Sequence, residues 1–148
     1  MGIVERFLEY AQAFEDAYDS DDWSLLEPYF TEDSVYDFIA GPPLGGRHES
    51  RATILSDFQG AVNGFDRRFT SRRVEFLEGP MEKNGEVWMR WLATYTLDGA
   101  PDCRMEGEER AVFEGDRISL LEDKVSDEEC QRLVAYLEAH GGKMKPAG

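Results

Sequence analysis

The second half of the sequence contains long strand-forming segments joined by short turns, and this pattern constrains the fold most strongly. The segment from Val87 to Leu97 is rich in aromatic and β-branched residues, which favour strands. The four predicted strands are Arg67 to Glu78, Val87 to Leu97, Cys103 to Glu114 and Arg117 to Val125. Turns are predicted at Gly79-Pro80, Asn84-Gly85, Asp98-Gly99 and Gly115-Asp116. We therefore expect a meander of four long antiparallel strands.

The first half of the sequence is mainly helical. Apolar residues at three- and four-residue spacing predict a first helix, with a stripe made of Val4, Phe7, Leu8, Ala11, Phe14 and Tyr18. A short helix around Trp23 follows, which Pro28 should end or distort. Ser34 to Ile39 reads as a strand, with Val35 and Asp37 on one face and Tyr36 and Phe38 on the other, and Gly41 to Gly46 reads as a loop. The segment Ile54 to Val62 has helical spacing.

A final helix is predicted after the meander, because Ser126 and Glu129 form a capping box. The helices mostly precede the long strands, so they can cover one face of the sheet. The sequence therefore predicts an α+β fold, with a curved, mainly antiparallel sheet wrapped over helices and an internal pocket. We expect a single domain over residues 1–140 and a flexible tail over residues 141–148, which is rich in Gly, Lys and Pro.

The charge balance excludes several classes of partner. The chain carries 16 Lys and Arg against 31 Asp and Glu, a net charge of −15, so nucleic acid and anionic membranes should be repelled. No apolar run approaches the length of about 20 residues that spans a bilayer, and the N-terminal segment lacks the pattern of a secretory signal. We expect a cytoplasmic protein in which Cys103 and Cys130 are free thiols.

Three acidic residues are candidates for catalysis inside the pocket. A carboxylate in an apolar cavity loses hydration, so its pKa rises and it can exchange protons near neutral pH. Asp37 lies among Tyr36, Phe38 and Ile39, although it could equally be a solvated residue at the strand end. Asp123 shares a strand face with Leu121 and Val125, and Glu109 shares one with Ala111 and Phe113. If the strand register differs by one residue, the side chains assigned to the inner face lie on the outer face and the reverse.

Aromatic and aliphatic residues are candidates for the pocket wall. Trp91, Ala93 and Tyr95 alternate on one strand face, and Met89 would join them, either as pocket wall or as ordinary core. The candidate ligand-binding residues are Phe14, Tyr18, Phe58, Trp91, Tyr95 and Leu121. Arg67, Arg68, Arg72 and Arg73 form the one basic cluster, which we expect to pair with acids on the exposed or dimer-facing side of the sheet rather than bind an anion. The spacing of His, Cys and acidic residues predicts no metal site and no cofactor.

Three segments resemble the nuclear transport factor 2-like superfamily, in particular its SnoaL-like and ketosteroid-isomerase-like members. They are Phe14 to Phe38, Val87 to Gly99 and Ala111 to Val125. The resemblance implies the cone-shaped fold of that superfamily and a homodimer. The superfamily contains isomerases, cyclases, hydrolases, transport factors and non-catalytic binders, so the resemblance implies a fold and no single activity.

The resemblance also implies roles for individual residues. Asp37 matches the general base of the isomerases, and Glu109 falls near their second, protonated acid. Phe14 stands where the isomerases have a tyrosine donor, so Tyr10, Tyr18 or Tyr95 would have to replace it. Asp123 matches an acid of the epoxide hydrolases of this fold, but Leu92 occupies the position of their companion acid, which argues against that activity.

Three functions remain open from the sequence. The first is a cofactor-free isomerase or cyclase with Asp37 as the base, and the second is a non-catalytic binder of a small hydrophobic molecule. The third is an interaction module that works through a homodimer surface. We expect Arg90, Leu92 and Thr94 on the dimer-facing side of the sheet, because they alternate with the pocket set.

Overall fold

A computed structural model describes residues 2–146. Its α-helices are α1 (Ile3–Ser20), α2 (Arg51–Gly64) and α3 (Asp127–His140). Its strands are β1 (Phe30–Ile39), β2 (Gly46–Glu49), β3 (Ser71–Lys83), β4 (Glu86–Thr96), β5 (Cys103–Glu114) and β6 (Arg117–Lys124). Short 3₁₀ turns occupy Trp23–Tyr29, Asp66–Arg68 and Gly141–Lys143. The α+β fold predicted from the sequence is confirmed.

The six strands form one sheet in the order β2-β1-β6-β5-β4-β3. Strands β3 to β6 form the predicted antiparallel meander. Strand β1 pairs in parallel with β6 and antiparallel with β2, so the first and last strands lie side by side. This pairing brings Tyr36 and Phe38 of β1 next to Leu121 and Asp123 of β6.

The core lies between the sheet and helices α1 and α2. Aromatic rings dominate it: Tyr10 contacts Phe30 edge-on at 5.5 Å, and Phe58 contacts Tyr36 at 5.1 Å. Helix α1 buries Phe7, Tyr10, Ala13 and Ala17, whereas Leu8 stays 43% exposed. The helical period was predicted correctly, but the buried stripe is rotated from the predicted one.

The remaining differences concern short elements. Strand β2 lies partly in the segment predicted as a loop, and the segment around Trp23 is a 3₁₀ helix that contains Pro28. Strand β3 continues through Gly79 and Pro80, which had been predicted as a turn. Register irregularities between Glu78 and Met81 accommodate them.

The last helix begins where the capping box predicted, since Ser126 Oγ accepts a hydrogen bond from the Glu129 backbone N–H at 3.2 Å. The segment after it, predicted to be flexible, makes specific contacts as far as it is described. Arg68 and Lys145 are joined by two hydrogen bonds to backbone carbonyls, and Lys143 donates to the Gly99 carbonyl. Ala147 and Gly148 lie outside the described residues.

Candidate functional site

A cavity of about 470 Å³ opens between helices α1 and α2 and the inner face of the sheet. This volume is in the range of small-molecule sites. Most of its wall is apolar and aromatic, with side chains that include Phe14, Phe58, Met89, Ala93, Met105 and Leu121. Most of the polar groups in it fall into two separate clusters, one around Asp123 and one around Asp66, and Asp57 lies apart from both.

The first cluster contains two acids that face each other across neighbouring strands. Glu109 on β5 is the direct partner of Asp123 on β6, and both side chains line the cavity. Asp123 is 7% exposed, which is unusual for a carboxyl group. Glu109 is half-buried, and its remaining surface lines the cavity. The sheet therefore places two acidic groups together where water is scarce.

Two aromatic side chains donate hydrogen bonds to Asp123. The Tyr36 hydroxyl lies 2.8 Å from Asp123 Oδ2, and the Trp91 indole N–H lies 3.2 Å from Asp123 Oδ1. Tyr36 is on the parallel neighbour β1, and Trp91 is on β4, two strands away. Three strands thus supply the groups that surround one carboxylate.

The environment separates the proton affinities of the two acids. Burial, and then the negative charge of Asp123, raise the pKa of Glu109 well above its usual value. Burial also raises the pKa of Asp123, but hydrogen bonds from Glu109, Tyr36 and Trp91 oppose that rise. The pair therefore holds a shared proton on Glu109 and a negative charge on Asp123.

Gly107 makes room for this arrangement. A Cβ atom at this position would lie 2.3 Å from Trp91 Cζ2, and Gly107 is the β5 partner of Trp91. Only a residue without a side chain lets the indole lie flat across β5 and reach Asp123. Sequence reasoning missed Gly107, although a glycine within a predicted strand is a known signal of close approach.

Tyr10 adds a hydroxyl group to the same part of the cavity. Its ring lines the wall and is 4% exposed. Burial, and then the charges of Glu109 and Asp123, raise the pKa of Tyr10 well above its usual value. Within residues 2–146 the Tyr10 hydroxyl has no hydrogen-bond partner, so it is a donor available to a ligand. Of the three tyrosines considered from the sequence, this one lies beside the acid pair.

The second polar cluster surrounds Arg72 and Asp66. Arg72 Nε lies 3.1 Å from Asp66 Oδ2, and Arg72 Nη1 lies 2.8 Å from Glu15 Oε2. The Tyr95 hydroxyl lies 3.4 Å from Asp66 Oδ2. Burial raises the pKa of Asp66 to about 6, against the opposing effect of Arg72. The guanidinium of Arg72 stacks over Tyr18, 4.7 Å from the ring centroid.

Asp37 lies outside this cavity. Tyr36 and Phe38 line the wall, so the alternating Asp37 side chain points to the opposite face of β1. Its carboxylate is 3.7 Å from Arg47 Nη1 on β2, and the side chain is 29% exposed. The expectation that Asp37 faces the pocket is therefore wrong, and its proposed role as the base loses its geometric support.

The structure brings most of the other candidate residues together. Phe14, Phe58, Trp91, Tyr95 and Leu121 line the cavity with Glu109 and Asp123. Tyr18 does not line it, because its ring packs against Arg67 and Arg72. The expected pairing with acids is seen for three of the four arginines, namely Arg67, Arg72 and Arg73. Arg73 pairs with Glu75 on an exposed face of β3, whereas Arg72 pairs on the cavity side.

The cavity rim carries a histidine–carboxylate pair. His48 Nε2 on β2 lies 3.2 Å from Asp57 Oδ1 on α2, and the His48 ring stacks on Tyr36. Asp57 itself belongs to the cavity wall. Across residues 2–146, no group of three or more His, Cys, Asp or Glu side chains is arranged to hold a metal ion. No described helix is long and apolar enough to cross a membrane.

Comparison with known proteins identifies the family. The sequence model of the SnoaL-like domain matches residues 11–121, which is most of the chain. The protein therefore belongs to the SnoaL-like family of the nuclear transport factor 2-like superfamily. No curated protein matches the sequence significantly.

Solved structures of the same fold include proteins described as candidate enzymes. A candidate isomerase from Bacillus subtilis has a TM-score of 0.66 at 16% identity, over 96% of this chain and 97% of the other. A candidate polyketide cyclase from Xanthomonas campestris has a TM-score of 0.61 at 16% identity, over 92% and 99%. A nuclear transport factor 2-like protein from Burkholderia xenovorans has a TM-score of 0.62 at 15% identity, over 88% and 98%. At these identities the likeness shows the fold.

Proposed function

We propose that this protein is a cofactor-free acid–base enzyme of the isomerase or cyclase kind. In this proposal it moves a proton at a carbon next to a carbonyl group of a small, mostly apolar molecule, with Asp123 as the base. The observation that carries the proposal is the buried Asp123 carboxylate, held opposite a protonated Glu109 inside a ligand-sized cavity. Pairs of acids with separated pKa values are typical of such chemistry.

The chemistry uses groups that already line the cavity. The Asp123 carboxylate accepts a proton from the carbon, and the electron pair moves to the carbonyl oxygen, which becomes an enolate. The hydroxyl of Tyr10 can donate a hydrogen bond to that oxygen. The Glu109 O–H, which donates to the Asp123 carboxylate before the reaction, can turn to the same oxygen once Asp123 has taken up the proton. Such donors act strongly where bulk water is excluded. Return of the proton at a different carbon gives an isomer, whereas attack of the enolate on a second carbonyl closes a ring.

The raised pKa of Asp123 suits this role. A base works best when its pKa is near the working pH, because it is then both ionised and reactive. Burial makes Asp123 a stronger base than an exposed aspartate, and Tyr36 and Trp91 keep it ionised and fixed in position. The candidate isomerase and cyclase among the proteins of this fold support the same reaction class.

A second function is favoured by the same hydrogen bonds. A carboxylate offers about four acceptor positions, and Tyr36, Trp91 and Glu109 occupy three of those on Asp123. A carboxylate used in this way could stabilise the cavity wall of a protein that only binds a small hydrophobic molecule. The two functions differ in whether a bound ketone exchanges protons with the protein.

A ligand screen followed by an exchange assay separates them. Lipophilic ketones and phenols would be screened by thermal shift against the wild type, since a ligand at a hundredfold its Kd stabilises by about 2.7 kcal/mol. Ketone hits would then be incubated in D₂O, and deuterium at the carbon next to the carbonyl would be measured by NMR. Protein-dependent exchange supports the enzyme. Binding without exchange supports the binder, and no binding by any ketone or phenol contradicts both.

We propose further that the protein is a cytoplasmic homodimer that associates through the outer face of the sheet around β4. Leu92 and Thr94 of that face are 5% and 4% exposed within one chain, while Arg90 keeps more of its surface. A contact there would rely on Arg90 and its acidic neighbours Glu78 and Glu106. Light scattering of the wild type and Arg90→Glu tests it. A monomeric wild type would contradict this proposal.

A further inference from the structure

The Arg72 cluster lies in the same cavity as the acid pair but at a different place along the sheet. Tyr95, which contacts Asp66, and Trp91, which contacts Asp123, are four residues apart on the inner face of β4. At about 3.3 Å per strand residue, their Cα atoms are about 13 Å apart. The cavity therefore has two polar stations, which we define as the acid station (Glu109 and Asp123) and the arginine station (Asp66 and Arg72).

The wall between the two stations is apolar. Ala93 lies between Trp91 and Tyr95 on the strand, and its small side chain leaves space in front of the sheet. Met105, the β5 partner of Ala93, and Phe58 of α2 complete this section. A ligand that reaches both stations must therefore be apolar in its middle.

The side chains of the arginine station are buried and held in place by their contacts, so the station is not a chance surface contact. The Arg72 side chain is only 10% exposed, and the Asp66 side chain 15%. Arg72 Nη1 donates to Glu15, and the guanidinium forms an ion pair with Asp66, while Arg72 Nε is buried and has no hydrogen-bond partner among the described residues. The guanidinium also packs on Tyr18 and more distantly on Phe14. Such packing holds the polar atoms in place before a ligand arrives.

The charges of the stations determine which polar groups fit. At the arginine station one cation faces two carboxyl groups, those of Asp66 and Glu15, so a ligand anion would meet net repulsion. The acid station would repel an anion as well. A hydroxyl group, by contrast, can donate to Asp66 or to the Tyr95 oxygen and accept from Arg72, because the Tyr95 O–H already donates to Asp66.

We propose that the substrate is an uncharged, elongated molecule with an oxygen function at each end and an apolar middle. One end lies at the acid station, and a hydroxyl group at the other end binds Asp66, Arg72 and Tyr95. This inference rests on the proposed function for the chemistry at the acid station, but its recognition step can be measured without any reaction. Asp66 and Tyr95 are then residues that determine specificity.

The test compares rod-shaped ligands of one length by calorimetry. The probes are stilbene, its monophenol with one para hydroxyl, its diphenol with a para hydroxyl at each end, and the corresponding dicarboxylate. We expect the wild type to bind the diphenol about tenfold more tightly than the monophenol, the ratio that one hydrogen bond of about 1.4 kcal/mol gives. The dicarboxylate should bind at least tenfold more weakly than the diphenol.

Variants of the arginine station test whether it causes the tighter binding of the diphenol. In Asp66→Ala the diphenol should lose most of its tenfold advantage, while the affinity for the monophenol stays the same because that ligand uses the acid station. Tyr95→Phe, which keeps the Asp66–Arg72 contact, should give a smaller loss of the same kind. Asp37→Asn, a change on the opposite face of β1, should keep the wild-type ratio.

Three results would overturn the inference. They are equal binding of the two phenols to the wild type, equal weakening of both in Asp66→Ala, or tight binding of the dicarboxylate. None of these results bears on whether Asp123 exchanges protons with a ketone, which is measured separately. Exchange that depends on Asp123, together with equal affinities for the two phenols, would leave the proposed function standing and this inference wrong.

Discussion

Glu109 and Asp123 face each other across strands β5 and β6, on the side of the sheet that lines the cavity. The next pair along the same two strands, Arg110 and Glu122, points to the other side and is an ordinary ion pair at 3.2 Å. Stability alone selects the opposite charges of the outer pair, but it would not select two acidic groups facing each other inside. This contrast is the reason for assigning a function to the inner pair.

The first prediction concerns the stability of Glu109→Gln at different pH values. The folded-state pKa of Glu109 is raised, so its stabilising contribution is complete below the unfolded pKa of about 4.3 and is lost as pH rises through the folded value. Glutamine keeps a donor and carries no charge. We therefore expect Glu109→Gln to be more stable relative to wild type at pH 8 than at pH 5, measured by urea denaturation.

The control for this experiment is Glu108→Gln, because Glu108 is exposed on the other face of β5. Its stability difference from wild type should be nearly the same at both pH values. A difference for Glu109→Gln that does not change with pH would show that the inner pair holds no shared proton.

The second prediction concerns Gly107→Ala. Its Cβ would overlap the Trp91 indole at 2.3 Å and also approach the Lys124 carbonyl at 2.9 Å. Overpacking of this kind costs about 1–3 kcal/mol of unfolding free energy. We expect that loss in urea denaturation, together with a shifted Trp91 indole N–H signal in the NMR spectrum, because its hydrogen bond to Asp123 is disturbed.

Gly60→Ala is the matched control, since Gly60 lies in α2 and no atom lies within 4 Å of a Cβ there. It should stabilise the protein by roughly 0.5–1 kcal/mol, because alanine has a better helix propensity. If Gly107→Ala were as stable as wild type, Trp91 would not be held across β5 as described.

The third prediction concerns the hydrogen bond from Tyr36 to Asp123. Tyr36→Phe removes a donor that stabilises the carboxylate, so the pKa of Asp123 should rise further. The acidic limb of the pH–rate profile for ketone deuterium exchange should therefore move to higher pH. An unchanged limb, or one moved to lower pH, would mean that Asp123 is not the group that must be ionised.

The fourth prediction concerns Asp66, whose pKa burial raises to about 6 while Arg72 opposes the rise. Titration of the carboxyl carbons by NMR should give a midpoint near that value. In Arg72→Gln the midpoint should be higher, because the favourable positive charge has been removed. A midpoint that falls in Arg72→Gln would contradict the described contact at 3.1 Å.

Much of the fold follows from local sequence pattern. The meander was predicted because Asn84-Gly85, Asp98-Gly99 and Gly115-Asp116 separate uninterrupted strand-forming segments. Strand β2 was not predicted, because Gly46–Glu49 is short and polar and is ordered by pairing with β1. The Gly79-Pro80 signal was misleading, since a local irregularity in β3 absorbs these residues.

The site was harder to predict than the fold. Alternation correctly separated Tyr36 and Phe38 from Asp37, but a two-residue period does not say which face is inside. The more apolar set, Tyr36 and Phe38, was the better guide to the inner face. The arginine station could not be predicted, because Asp66 lies in the Asp66–Arg68 turn, Arg72 in β3, and the Glu15 that pairs with Arg72 in α1, far apart in the sequence.

The most direct test of the central claim compares deuterium exchange of one bound ketone by Asp123→Asn and Asp37→Asn. Asparagine keeps the size of aspartate but cannot act as a base, and a general base contributes about a hundredfold or more to rate. We predict that Asp123→Asn loses at least about a hundredfold in exchange rate, while Asp37→Asn exchanges like the wild type. Full exchange by Asp123→Asn, or loss of exchange in Asp37→Asn alone, would contradict the assignment of Asp123 as the base.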